Sequence, residues 1–135
     1  MSAHRVSLVV VLLGALGAGA LRAQTSAPAA WQATPASVLK TALRHVLTAQ
    51  ERFYADNETY APSAEALCLR PEAGVRVVIL LATANGWQGR ATHQTQPGRS
   101  CVVFVGSLGG AEPPRTDGDR EMAGEEGIPL CDRMR

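Results

Sequence analysis

Alternating carboxylates late in the chain are the residues best suited to chemistry. Asp117-Gly118-Asp119-Arg120-Glu121 runs on to Glu125-Glu126. Carboxylate oxygens separated by a glycine suit calcium, a hard cation that takes several oxygen ligands. The candidate ligands are Asp117, Asp119, Glu121 and Glu125. Arg120 inside the cluster, and a spacing unlike an EF-hand loop, point instead to a solvated acidic loop. Both readings stay open, and no motif asks for any other cofactor.

The cysteines are Cys68, Cys101 and Cys131. In an oxidising compartment an odd count leaves one unpaired, and spacing alone fixes no connectivity. The physics leans toward Cys101–Cys131. Cys101 sits in an apolar run, and Cys131 follows Ile128-Pro129-Leu130, the apolar residues that end a long polar stretch. A bridge there staples the stretch to the body, worth about 3–4 kcal/mol in the chain-entropy account. Cys68, between Leu67 and Leu69, is then a buried free thiol or an intermolecular partner. No C-x-x-C occurs, so neither a redox motif nor a zinc site has support.

The histidines form no catalytic pattern. His4, His45 and His93 stand far apart in sequence, with no Ser-His-Asp or Cys-His arrangement among them. His45 falls between the polar and apolar sides of a helix, and His93 reads as a surface strand residue. Phe53, Tyr54 and Tyr60 follow the apolar phase of that helix and are expected to pack its end onto a sheet. An aromatic binding platform is the competing use. These signals give no reason to expect an enzyme.

Any such group must be positioned by a helix and a few strands. Thr34-Pro35 is a helix start, with Thr34 as N-cap and Pro35 at the first position. Val38, Leu39, Ala42, Leu43, Val46, Leu47, Phe53 and Tyr54 keep a 3.6-residue period, broken by the polar Gln50. The helix is expected from Pro35 to about Ala55, ended by Asp56-Asn57. Leu43, Val46, Leu47 and Phe53 are its expected core residues. A short helical turn fits Pro62 to Leu67. Strand-like runs follow at 74–83, 87–94 and 100–105, with turn dipeptides Asn85-Gly86 and Pro97-Gly98 between them. They read as an antiparallel meander. Gly109 to Gly127 reads as a polar surface loop with little to bury, and Asp132 to Arg135 as a frayed tail.

The N-terminus reads as a targeting segment. Arg5 precedes an uncharged apolar run, Val6 to Leu21, and Leu21-Arg22-Ala23 leads into Gln24. This order predicts a secretory signal peptide at 1–23, with cleavage after Ala20 as the alternative. A retained run would instead be a membrane anchor. Residues 24–34, rich in Ala, Ser, Thr and Pro, read as a flexible linker, and 35–135 as one domain. Cleavage removes Arg5 and Arg22 and lowers the formal net charge of +1 by two. Near neutrality argues against nucleic acid as a partner, and no second apolar stretch could insert in a membrane once the segment is gone.

Three stretches together resemble a known family. They are Ala49-Gln50-Glu51-Arg52-Phe53-Tyr54-Ala55-Asp56-Asn57-Glu58-Thr59-Tyr60, then Gly86-Trp87-Gln88-Gly89-Arg90-Ala91, then the Cys101 to Cys131 bracket with Glu126-Gly127-Ile128-Pro129-Leu130. Their order resembles the globular head of bacterial type IV pilins and pseudopilins. The chain lacks the Gly-Phe processing junction and the glutamate early in the apolar helix, and Pro28 and Pro35 interrupt any continuous helix. The resemblance implies an α+β fold, one long N-terminal helix on a three- to four-stranded antiparallel sheet. It implies a secreted, periplasmic or cell-surface module, structural or adhesive, with protein partners or self-association. Retention of the apolar segment would make it a membrane-anchored pilin-like subunit. The resemblance also raises the calcium reading, because some pseudopilins bind calcium in this late loop.

Overall fold

The computed structural model describes residues 33–135. The expected signal peptide, Trp31 and the linker as far as residue 32 lie outside the described residues. One helix, α1 (Pro35–Asn57), precedes four strands: β1 (Val75–Ala82), β2 (Gly86–His93), β3 (Ser100–Gly106) and β4 (Leu130–Cys131). The strands pair antiparallel in the order β1-β2-β3-β4, so the fold is α+β with a simple meander.

The helix is 23 residues long and starts where its cap chemistry dictates. The Thr34 hydroxyl accepts from the Ser37 N–H at 3.2 Å, and the Ser37 hydroxyl donates back to the Thr34 carbonyl at 2.8 Å. At the far end Glu58 takes a left-handed conformation, φ 55°, and donates its N–H to the Tyr54 carbonyl. Leu39, Leu43, Val46 and Gln50 are the fully buried positions, one per turn on a single stripe. Leu47 packs beside them, half-buried. Phe53 is a correction to the expected core. It is half-buried outside the central cluster and lines a surface hollow with Ala66 and Leu67. Its helical phase still matches the stripe, but it lies outside the cluster that α1 and the sheet form.

Across from the helix, the sheet offers Trp87, Ala91, Cys101 and Val103, all buried, with Val75, Val77, Ile79 and Val105 half-buried around them. The register explains the grouping. Val77, Ala91, Cys101 and Cys131 lie in one row across the four strands, and Ile79, Gly89 and Val103 in the next. Gly89 leaves the space that the Trp87 ring occupies, its Cβ position lying 3.0 Å from the indole. The Asn85-Gly86 hairpin forms as the sequence implies, with the Thr83 hydroxyl accepting from both their N–H groups at 3.1 Å. Gly86 is required there, since a side chain would collide with the carbonyl oxygens of Val105 and Ser107.

Two local expectations change. Pro62 to Leu67 forms hydrogen-bonded turns and not a helix. The Ser63 hydroxyl caps the Ala66 N–H at 3.1 Å, and Cys68 then takes a left-handed φ of 53° that ends the segment. Cys68 is a free thiol but is exposed, not buried, because that reversal carries it off the domain while Leu67 and Leu69 turn inward.

Candidate functional site

The second face of the sheet is where the late carboxylates act. Asp132 follows the last strand residue and is 3% exposed. Its carboxylate accepts from the N–H of Ser100 at 2.8 Å, Gly118 at 2.8 Å and Asp119 at 2.6 Å. Burial works against its charge, but bonds from the Thr116 hydroxyl and from the Asp119, Gly118 and Ser100 N–H groups outweigh it and lower its pKa. Asp119 adds a second hub. It accepts from the Arg133 N–H at 2.8 Å and the Arg99 guanidinium at 2.8 Å, and the Arg133 side chain lies 3.5 Å away. The Arg133 backbone bond is the first cause of its lowered pKa, ahead of the Arg99 bond and both positive charges.

Segment 107–129 is therefore a fixed layer and not an idle polar loop. Its own Leu108, Pro114, Thr116 and Ala123 are buried. Arg115 and Met122 bridge its two limbs, the Ala123 N–H donates to Pro114, and the Ser100 hydroxyl accepts from the Asp117 N–H at 2.9 Å. Glu126 accepts from the Gly106 N–H at 2.6 Å, and the Gly127 N–H donates to Phe104. The tail expected to fray is held too. Asp132 is buried, Met134 packs on the core and the Arg135 carbonyl accepts from the Gln96 amide.

The Cys101–Cys131 disulfide is present, joining residues directly opposite each other on β3 and β4, with Cα atoms 4.0 Å apart and 30 residues of sequence separation. Of the four calcium candidates, Asp117 lies 3.2 Å from the Arg90 guanidinium and Asp119 meets Arg99 and Arg133. Glu121 and Glu125 are exposed on the loop. The cations these aspartates meet are arginines. Among the described residues no group of three or more His, Cys, Asp or Glu side chains is arranged to hold a metal.

Neither described histidine is hydrogen-bonded to a carboxylate or a thiol. His45 is exposed on α1, and His93 Nδ1 lies 2.8 Å from the Thr95 hydroxyl. A groove of about 100 Å³ between α1 and β1 carries Thr41, His45, Arg70 and Glu72 on apolar walls. No hydrogen bond or ion pair links these four. The aromatics divide. Tyr60 packs on the core, and burial, then Tyr54, Glu126 and Glu51, raise its pKa. Tyr54 is 41% exposed and lies on the Tyr60 ring at 4.8 Å between centroids, so it is not the core residue expected.

Two groups escaped the sequence reading. Gln50 is fully buried and holds both backbone groups of Ala61, donating to its carbonyl at 2.9 Å and accepting from its N–H at 2.7 Å. The break it makes in the apolar stripe was the available signal. Asp132 had none beyond its place after Cys131.

Among the described residues nothing covers the half of the second face nearest β1. Arg76, Val78 and Leu80 point there from β1, with Val78 and Leu80 each 37% exposed. Among the described residues no helix is long and apolar enough to cross a membrane. No protein-family model matches the sequence, and a search of curated proteins finds no match either.

Proposed function

We propose that this chain is an exported, non-catalytic structural or adhesive module with a pilin-like head. The observation that carries the reading is the layered closure of the sheet. One helix covers one face, and a disulfide-bracketed C-terminal loop is fastened over part of the other. Helix, antiparallel meander and Cys-bracketed loop follow in the order the pilin resemblance implies. A structural disulfide also fits an oxidising compartment, where such bonds persist.

The carboxylates support the same reading. Asp132 and Asp119 spend their oxygens on backbone N–H groups and arginines, leaving little for a substrate. Such a layer suits a part that must keep its shape while others bind it. Fractionation of producing cells, with N-terminal sequencing of the recovered chain, is the test. The expected product is extracellular, periplasmic or surface-held, begins at Gln24 or Leu21, and carries the disulfide. Recovery from the cytoplasm with all cysteines reduced sinks the proposal. A membrane-bound product starting at Met1 replaces it with an anchored pilin-like subunit.

A further inference from the structure

We propose that two copies of this chain pair β1 with β1, antiparallel about a two-fold axis through Val78. The inference rests on the module reading above and names its partner as a second copy. The backbone supplies the argument. The Gln94 N–H donates to the Gly74 carbonyl at 2.9 Å, just below β1 in the β1–β2 register. Hydrogen-bonded and non-bonded pairs alternate along an antiparallel ladder. Arg76–Thr92 and Val78–Arg90 are therefore the inward-bonding pairs. Val77 and Ile79 turn their N–H and C=O groups outward, to the free edge of the sheet.

Among the described residues that edge is hydrogen-bonded to other backbone only at its ends, by the connection from α1 to β1. The Val75 N–H donates to Glu72 at 3.0 Å, and the Thr83 carbonyl accepts from Tyr60 at 3.2 Å. Between them, among the described residues, the outward groups of Val77 and Ile79 have no backbone partner beyond the ladder. Val-Arg-Val-Val-Ile-Leu-Leu-Ala holds no proline, lysine or carboxylate, the usual guards of an exposed edge. Its guards are Arg76 and the register shift between Ile79 and Leu81. The shift stops straight pairing beyond Ile79, which leaves a short, defined register.

The same strand is its own complement there. With Val78 on the axis, Val77 of each copy faces Ile79 of the other, and the two pairs form four backbone hydrogen bonds. The axis stands perpendicular to the sheet, so both open faces join. Val78 meets Val78 on the exposed face. The helix does not obstruct this, because it packs mainly over β2 and β3. So short a pairing covers less than the roughly 800 Å² per partner of a standard stable interface. The dimer is accordingly concentration-dependent.

The test uses the full processed chain with Cys68→Ser, so that the exposed thiol cannot crosslink. Sedimentation velocity over a concentration series should give a monomer–dimer equilibrium. Val78→Lys, on an exposed side chain, should keep the far-UV circular dichroism and raise the dissociation constant at least about tenfold, since like charges then face each other. Val78→Cys should oxidise to a covalent dimer. Arg44→Cys, on the exposed side of α1, should not. A monomer at every concentration, an unchanged dimer in Val78→Lys, or crosslinking independent of position overturns the pairing. Export and surface recovery are read separately, so a surface-held monomer sinks this inference and spares the module reading.

Discussion

The two faces of the sheet are covered by different physics. Under α1, Leu39, Leu43 and Val46 meet Trp87, Ala91 and Val103, and the contact is non-directional burial. Under segment 107–129, a few small apolar groups lie beneath a lattice of charge-assisted hydrogen bonds centred on Asp132 and Asp119. Apolar packing tolerates changes that preserve volume, whereas a carboxylate hub fails when one acceptor is lost. A helix can be held by a stripe of side chains. A loop of glycine, proline and charged residues has too few of them and must be fastened through its backbone.

The largest expected effect tests the apolar face. Leu43→Ala should cost about 2–5 kcal/mol and lower the whole denaturant transition, both faces together. Loss of the helix signal ahead of the loop would break the comparison by making the faces separate units. Replacing both Cys101 and Cys131 with serine should cost about 3–4 kcal/mol, from the 30-residue separation that the bridge closes. That loss comes largely through the unfolded chain, so native hydrogen-exchange patterns should change little.

Asp132→Asn is the sharpest probe of the polar face. It weakens the bonds to three backbone donors and should cost about 2–3 kcal/mol. Amide exchange should quicken at Ser100, Gly118 and Asp119 while the centre of α1 stays protected. Equal loosening in α1 would show that the substitution acts through global unfolding and not on the loop's own fastening. Acid asks the same question without a mutation. Asp132 and Asp119 have folded pKa values below their unfolded ones, so their stabilisation is complete above about pH 4. It is lost as pH falls through the lowered values. Titration followed by exchange or near-UV signals should loosen the loop first. Arg44→Ala, on the exposed side of α1, is the smallest expected change, within about 0.5 kcal/mol.

How much was legible follows the same division. The helix, its Thr34 cap, the three long strands and the Asn85-Gly86 hairpin are written in local pattern, where neighbours in sequence decide the backbone. Phe53 and Tyr54 mark where periodicity failed, since it gives the phase of a stripe and not how far the partner surface reaches. Cys68 marks a failure of neighbour reasoning, because one left-handed residue separated it from the leucines beside it.

By itself the sequence determined the apolar stripe, the order of strands, the turn chemistry and the lean toward the Cys101–Cys131 pairing. Each rests on interactions between residues a few positions apart, or on a simple argument about closing a loop. Only the tertiary structure decided that Asp132 gathers Ser100, Gly118 and Asp119, that Gln50 holds Ala61, and that no described residue pairs with the middle of the β1 edge. A carboxylate or an amide carries no sign of its partner in its own neighbourhood. Its role is set by which distant N–H groups the completed sheet brings within hydrogen-bond reach, and that placement exists only once the chain has folded.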